Sequence, residues 1–146
     1  MLFNEIMADR REKNMRLCAG QCRYLITVYH LTEKNQVVKS VDIAKTLSVT
    51  RPSVSRMLKC MSKLEFIDPN YSASVRLTEK GFETARKLVR NFEDVNLFFK
   101  KILKLGDDEA YEQSIQFLAS FPEHTIERLS MVTRNTIHNR NKSERR

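Results

Sequence analysis

Residues 40–64, SVDIAKTLSVTRPSVSRMLKCMSKL, decide how this chain is read. Ser40 stands where an N-cap is expected, because its hydroxyl can accept from an unpaired amide of a first helical turn. Ile43, Ala44 and Leu47 then form an apolar stripe, and 48–50 leave room only for a tight turn. Thr50 is a second N-cap, and Pro52 falls in a first turn, where the missing amide hydrogen needs no partner. Val54, Leu58 and Met61 share one face of the second helix, with Met57 and Leu64 beside it. Arg51, Ser53, Ser55, Arg56 and Lys59 are left for solvent or a ligand. Two short helices across a three-residue turn predict a helix-turn-helix, whose second helix enters the DNA major groove with its N-terminal residues first. The competing reading is a plain helical hairpin with a solvated basic face.

The sequence on either side extends the pattern. Residues 65–68 read as a strand stopped by Pro69, 70–74 as a loop, and Val75-Arg76-Leu77-Thr78 as the returning strand. A hairpin directly after such a helix is a wing, with Arg76 near its base and Tyr71 and Ser72 at its tip. Phosphate contacts from a wing position a protein without reading sequence, and this loop is poor in Lys and Arg. Upstream, Leu17, Tyr24, Leu25, Val28 and Leu31 predict a helix over 17–31. Cys18 and Cys22 share one of its faces, a spacing that suits a metal or an oxidant but also two small half-buried side chains. Val37-Val38 suits a short strand. Leu2, Phe3, Ile6 and Met7 suit either a short amphipathic helix or a frayed terminus.

Downstream, Thr78 caps a third pattern that runs from Phe82 through Ala85, Leu88, Val89, Phe92, Val95, Phe98 and Phe99 to Ile102 and Leu103. It is longer than a small winged core can cover, so part of it is expected to pack on a second subunit. Gly106 is read as the breaker and Asp107 or Asp108 as the next cap. Tyr111, Ile115, Leu118 and Ala119 share the face of the following helix. Phe121-Pro122 marks a turn, a last helix runs from Glu123 to about Thr133, and a polar, basic tail from Asn135 is expected to be disordered and to add nonspecific attraction to DNA.

Composition agrees with these elements. Hydrophobic residues make up 41% of 146, enough for a core without staples, and three cysteines suggest no disulfide framework. The formal net charge of +8 favours a polyanionic partner. No apolar run approaches the ~18 residues of a membrane span, and the start lacks a signal-peptide pattern, so a cytoplasmic protein is expected. An enzyme is not expected, since there is no Gly-rich phosphate loop and no locally spaced Ser/His/Asp or Cys/His set.

The segments Val41-Asp42-Ile43-Ala44, Arg51-Pro52-Ser53-Val54-Ser55-Arg56-Met57, Leu77-Thr78-Glu79-Lys80-Gly81, Phe98-Phe99 with Ile102-Leu103, and Ile126-Glu127-Arg128-Leu129 together resemble the diphtheria toxin repressor family, in its short manganese-sensing form without an SH3-like domain. The resemblance covers about 22–132. It implies a mainly α protein: an N-terminal extension (1–16), a winged helix-turn-helix DNA-binding domain (17–80), an all-helical dimerisation domain (81–134) and a basic tail (135–146). It implies a homodimeric transcriptional repressor on a palindromic operator, with Thr50, Arg51, Pro52, Ser53, Ser55 and Arg56 toward the groove, Lys59 and Arg76 toward phosphates, and Ser40 also among the DNA-binding residues.

The resemblance also implies Mn or Fe as cofactor, held by carboxylates and imidazoles. Here those positions carry Arg23, Ile26, Phe92, Ile115, Leu118 and Ala119. A guanidinium does not ligate a metal ion, and hydrocarbon side chains offer no lone pair. The sequence thus predicts no metal cofactor and no membrane partner, with double-stranded DNA and a second copy as partners and any small-molecule or redox effector open. The alternatives are a rebuilt metal site using Cys18, Cys22, His30, Glu123 or His124, a MarR-type sensor of a ligand or oxidant, and a helical interaction module with incidental charge.

Overall fold

The computed structural model describes residues 16–145, so the stretch read as an N-terminal amphipathic helix lies outside the described residues. Six α-helices account for most of the rest: α1 (Ala19–Lys34), α2 (Ser40–Leu47), α3 (Arg51–Lys63), α4 (Glu79–Leu97), α5 (Asp107–Ser120) and α6 (Glu123–Glu144). A π-helical turn, Phe98–Ile102, prolongs α4.

Helix α1 is apolar on two sides, and the core is built around it. Tyr24, Leu25 and Val28 join a cluster with Val38, Ile43, Val54, Leu58, Met61, Phe66, Ile67 and Val75. Cys22 and Ile26 join a second cluster with Val89, Phe92, Val95, Ile115, Leu118 and Ile126. Residues 25 and 28 lie one turn apart on one face, and 22 and 26 on the other, so the helix serves both halves.

Local chemistry sets the helix ends, not always at the expected residue. Ser40 is the first residue of α2 and not its cap; Asp42 Oδ2 instead accepts the Lys39 amide at 2.8 Å. A carboxylate reaching back over the first turn also meets the positive end of the helix dipole, which a hydroxyl does not exploit. Ser48 closes α2 in the left-handed region (φ 54°) and turns the chain sharply. Thr50 caps α3 as read, its Oγ1 accepting the Ser53 amide at 3.3 Å, with Pro52 in the first turn.

The wing is smaller than the sequence implies. Its β structure is one antiparallel bridge, Ile67 to Leu77, with Asp68 donating to the Arg76 carbonyl and Thr78 to the Phe66 carbonyl, both at 3.0 Å. Glu65 is not in a strand: at φ 63° it is the left-handed residue that ends α3. Tyr71 does not stand at an exposed tip but packs, half-buried, against the first cluster, leaving Ser72 exposed. Val75 donates to the Val38 carbonyl at 2.7 Å, so residue 38 meets the wing without forming a strand.

The long pattern after Thr78 is one helix that changes pitch. The Leu103 amide reaches back to the Phe98 carbonyl and that of Leu105 to Phe99, and Lys104 adopts φ 61°. Lys104, not Gly106, therefore ends α4, while Gly106 caps α5. Asp107 is inside α5 and pairs with Lys100 at 2.8 Å, which holds its carboxyl below the usual range. The last helix continues to Glu144 where a disordered tail was expected from Asn135. Thr136 and Ile137 stay half-buried, which gives the added turns a face to rest on.

Candidate DNA-binding face and the interhelical core

The exposed side of α3 is built by its first turn. Thr50, Arg51, Pro52, Ser55, Arg56 and Lys59 are exposed and Ser53 is half-buried, while Val54, Leu58 and Met61 face inward. Thr50 Oγ1 and Ser53 Oγ lie 2.9 Å apart, and an Arg56 guanidinium nitrogen donates to Ser53 Oγ at 3.4 Å. Arg56 is thus drawn toward the N-terminal end of α3. Ser40, at the start of α2, and Arg76, next to the β bridge, are also exposed. Lys80, which the sequence reading left aside, anchors the wing to α4: its Nζ donates to the Leu64 carbonyl at 3.1 Å and lies 5.3 Å from the Phe66 ring centroid.

The six positions at which the family resemblance implies metal ligands come together, but as a mostly apolar contact of α1, α4 and α5. Ile26, Phe92, Ile115 and Leu118 are buried in the second cluster, and Ala119 packs beside it. Arg23, at the edge, pairs with Glu112 of α5 at 2.6 Å. The Phe92 and Tyr111 rings meet edge to face at 5.3 Å, and burial pushes the Tyr111 hydroxyl pKa up. This set does not fit Mn(II) or Fe(II), which take oxygen and nitrogen donors.

The residues of the alternative metal site are not gathered into one place. Cys18 and Cys22 are at the start of α1, while His30, near its other end, faces Glu33 at 3.6 Å. Glu123 pairs with Lys87, and His124 is exposed in the first turn of α6. Among the described residues, no group of three or more His, Cys, Asp or Glu is placed to hold a metal ion. Likewise, among them no helix is long and apolar enough to cross a membrane.

One polar cluster was not legible beforehand. Asp94 of α4, only 14% exposed, takes Ser130 Oγ and the Arg134 Nε at 3.1 Å, both from α6. Its signal lies in the i, i+4 spacing of Ser130 and Arg134, visible only once the partner helix is known.

Two short helices presenting a basic first turn, a small wing and a helical body that shares its first helix define a winged helix-turn-helix regulator. Residues 18–71 match the family model described as iron dependent repressor, N-terminal DNA binding domain. That match takes in α1, the helix-turn-helix and the start of the wing, so this part of the chain is similar to the DNA-binding domain of such repressors. An HTH-type transcriptional regulator of Methanocaldococcus jannaschii is 27% identical over 109 residues, 74% of this chain and 87% of that one. The manganese regulator SloR superposes with a TM-score of 0.68 at 27% identity, over 77% of this chain and 52% of its own. The IdeR of T. acidophilum shares the fold, with a TM-score of 0.61 at 19% identity over 74% and 51%. The chain therefore spans about half the length of these solved structures.

Proposed function

We propose that this protein is a homodimeric repressor that binds a palindromic operator without activation by Mn or Fe. The observation that carries the metal-independent part is the apolar cluster of Ile26, Phe92, Ile115 and Leu118, at positions where the family resemblance implies metal ligands. Replacing buried polar groups by well-packed apolar ones is often neutral or stabilising, so the helical body keeps its shape with no ion in it.

The DNA contacts follow from the exposed turn of α3. Thr50, Arg51, Pro52, Ser53, Ser55 and Arg56 face the groove, and Ser40, Lys59 and Arg76 lie along the phosphates. Arginine forks onto guanine O6 and N7, which makes Arg56 the principal base contact. A second copy is supported by an apolar strip at the far end of the body. Phe117 and Phe121 stack at 4.3 Å, Phe99 meets Phe117 at 6.2 Å, and Leu103 and Phe121 are 49% and 46% exposed.

Fluorescence anisotropy with duplexes enriched from a random pool tests the reading, first with chelator and then with added Mn(II). Chelator-insensitive binding of one palindrome is expected. Binding that requires the metal would overturn the metal-independent part, and no enrichment of any duplex would overturn the repressor itself.

A further inference from the structure

Two of the chain's three cysteines, Cys18 and Cys60, lie where the start of α1 meets the flank of α3, while Cys22 turns into the second apolar cluster, and the DNA-binding reading uses none of them. Gln21 ties the joint together. Its Oε1 accepts the Cys18 amide at 2.9 Å and its Nε2 donates to Cys60 Sγ at 3.5 Å. Gly20 lets the helices approach: a Cβ there would lie 3.3 Å from the Met57 methyl of α3 and 3.9 Å from Cys18 Sγ.

The three thiols differ in environment. Cys18 is exposed, Cys60 is half-buried and belongs to neither apolar cluster, and Cys22 is buried at 1%. Burial, and then the neighbouring Cys18, push the Cys22 thiol up to about 11, so it keeps its proton at neutral pH. A protonated, enclosed thiol is a poor nucleophile, and of the two thiols at the start of α1 only Cys18 is open to a reagent.

We propose that Cys18 is a hydroperoxide-modification site and that Cys60, on the helix that presents Arg56, resolves the product. The Cys18 thiolate attacks one peroxide oxygen, an S–O bond forms and the O–O bond breaks. Cys18 is oxidised to a sulfenic acid, and the peroxide is reduced to an alkoxide or hydroxide that takes up a proton. Cys60 sulfur then attacks Cys18 sulfur, an S–S bond forms, the S–O bond breaks, and water leaves with the Cys60 proton. The disulfide displaces the Gln21 amide and fastens the flank of α3 to the start of α1. The groove-facing first turn of α3 moves with it, because α3 is a single rigid helix. The effect on DNA affinity rests on the DNA-binding reading above; the thiol chemistry does not.

The test treats the full chain with stoichiometric hydrogen peroxide, maps thiols by peptide mass spectrometry, and measures anisotropy with the enriched duplex before and after. The expected result is an intrachain Cys18–Cys60 disulfide and an affinity loss within the ~5- to 150-fold range of ordinary two-site coupling, reversed by dithiothreitol. C18S and C60S should bind DNA like the reduced wild type and lose the response, and C22A should keep it. A disulfide to Cys22 or between chains, or oxidised protein that binds as before, would overturn the proposal. If the reduced protein binds no duplex, the DNA reading fails, while the mapped disulfide still decides the chemistry.

Discussion

Replacing Gly81 by alanine should unfold this protein more readily than any other single methyl addition at a glycine, and the reason is space. No described glycine has a positive φ, so Gly81 is not needed for an unusual backbone. A Cβ built there would lie 1.9 Å from the Phe66 carbonyl oxygen and 2.7 Å from its carbonyl carbon. That oxygen is not free to retreat, because it accepts the Thr78 amide at 3.0 Å in the only β contact of the wing. The first turn of α4 is equally fixed: Thr78 Oγ1 accepts the Gly81 amide at 3.0 Å and donates to the Glu65 carbonyl at 2.5 Å.

The methyl must therefore push α4 away from the wing. Overpacking of this kind costs about 1–3 kcal/mol, loss of the Thr78 cap about 1 more, and the better helix propensity of alanine returns about 1. The net is a destabilisation of about 1–3 kcal/mol, a fall of the urea midpoint by roughly 1 M for a chain of this size. Urea unfolding followed by far-ultraviolet circular dichroism measures it, with Gly106→Ala as control, since nothing lies within 4 Å of a Cβ there. A Gly81→Ala midpoint equal to or above wild type, at unchanged m, would refute the close approach of α4 to Phe66.

Three further outcomes are expected. Arg56→Ala should cost about 1–3 kcal/mol of operator affinity and relax preference at one base pair, read by anisotropy against a panel of single substitutions; a uniform loss on every duplex would make Arg56 a phosphate contact. Asp94→Ala strands Arg134 and the buried Ser130 and should destabilise by about 1–3 kcal/mol in the same urea assay, with Asp94→Asn losing less. The Cys22 thiol holds its proton up to about 11 when folded but releases it near 9.0 when unfolded, so between these pH values the unfolded chain binds fewer protons and stability falls as pH rises. Tyr24 and Tyr111 are pushed the same way, so the measurement is the difference between wild type and Cys22→Ala in the drop of thermal midpoint from pH 9 to 11, which should be steeper in wild type.

The elements that read clearly from sequence are those whose stability is local. Thr50 and Thr78 cap their helices because a hydroxyl three residues before a free amide needs nothing else. Readings failed where a competing partner decides. Ser40 lost its role to Asp42 because two local acceptors competed for the same helix start. The wing strands shrank to one bridge because Glu65 is taken up in ending α3 and Tyr71 is drawn into the core. Gly106 looked like the breaker, yet the chain turns earlier: Lys104 takes the left-handed conformation and the Leu105 amide bonds back to the Phe99 carbonyl. The convergence of Ile26, Phe92, Ile115 and Leu118 followed from the family resemblance alone, since no periodicity brings α1, α4 and α5 together.

The sharing of α1 between the two clusters bears on regulation. A metal that bridges such helices stabilises their arrangement by an amount that rises with its free concentration, as RT ln(1 + [L]/Kd). Side chains in the same space carry no concentration term. Close-packed groups also resist displacement, and α1 presents Leu25 and Val28 to the cluster under α3 while Cys22 and Ile26 hold it to α4 and α5. On the proposed metal-independent reading, with the space filled by Ile26, Phe92, Ile115 and Leu118, the helical body holds α1 in one place at every metal concentration. Under that reading, a signal that alters DNA binding must act on α1 or α3 directly, and the start of α1 is where Gln21 already joins them.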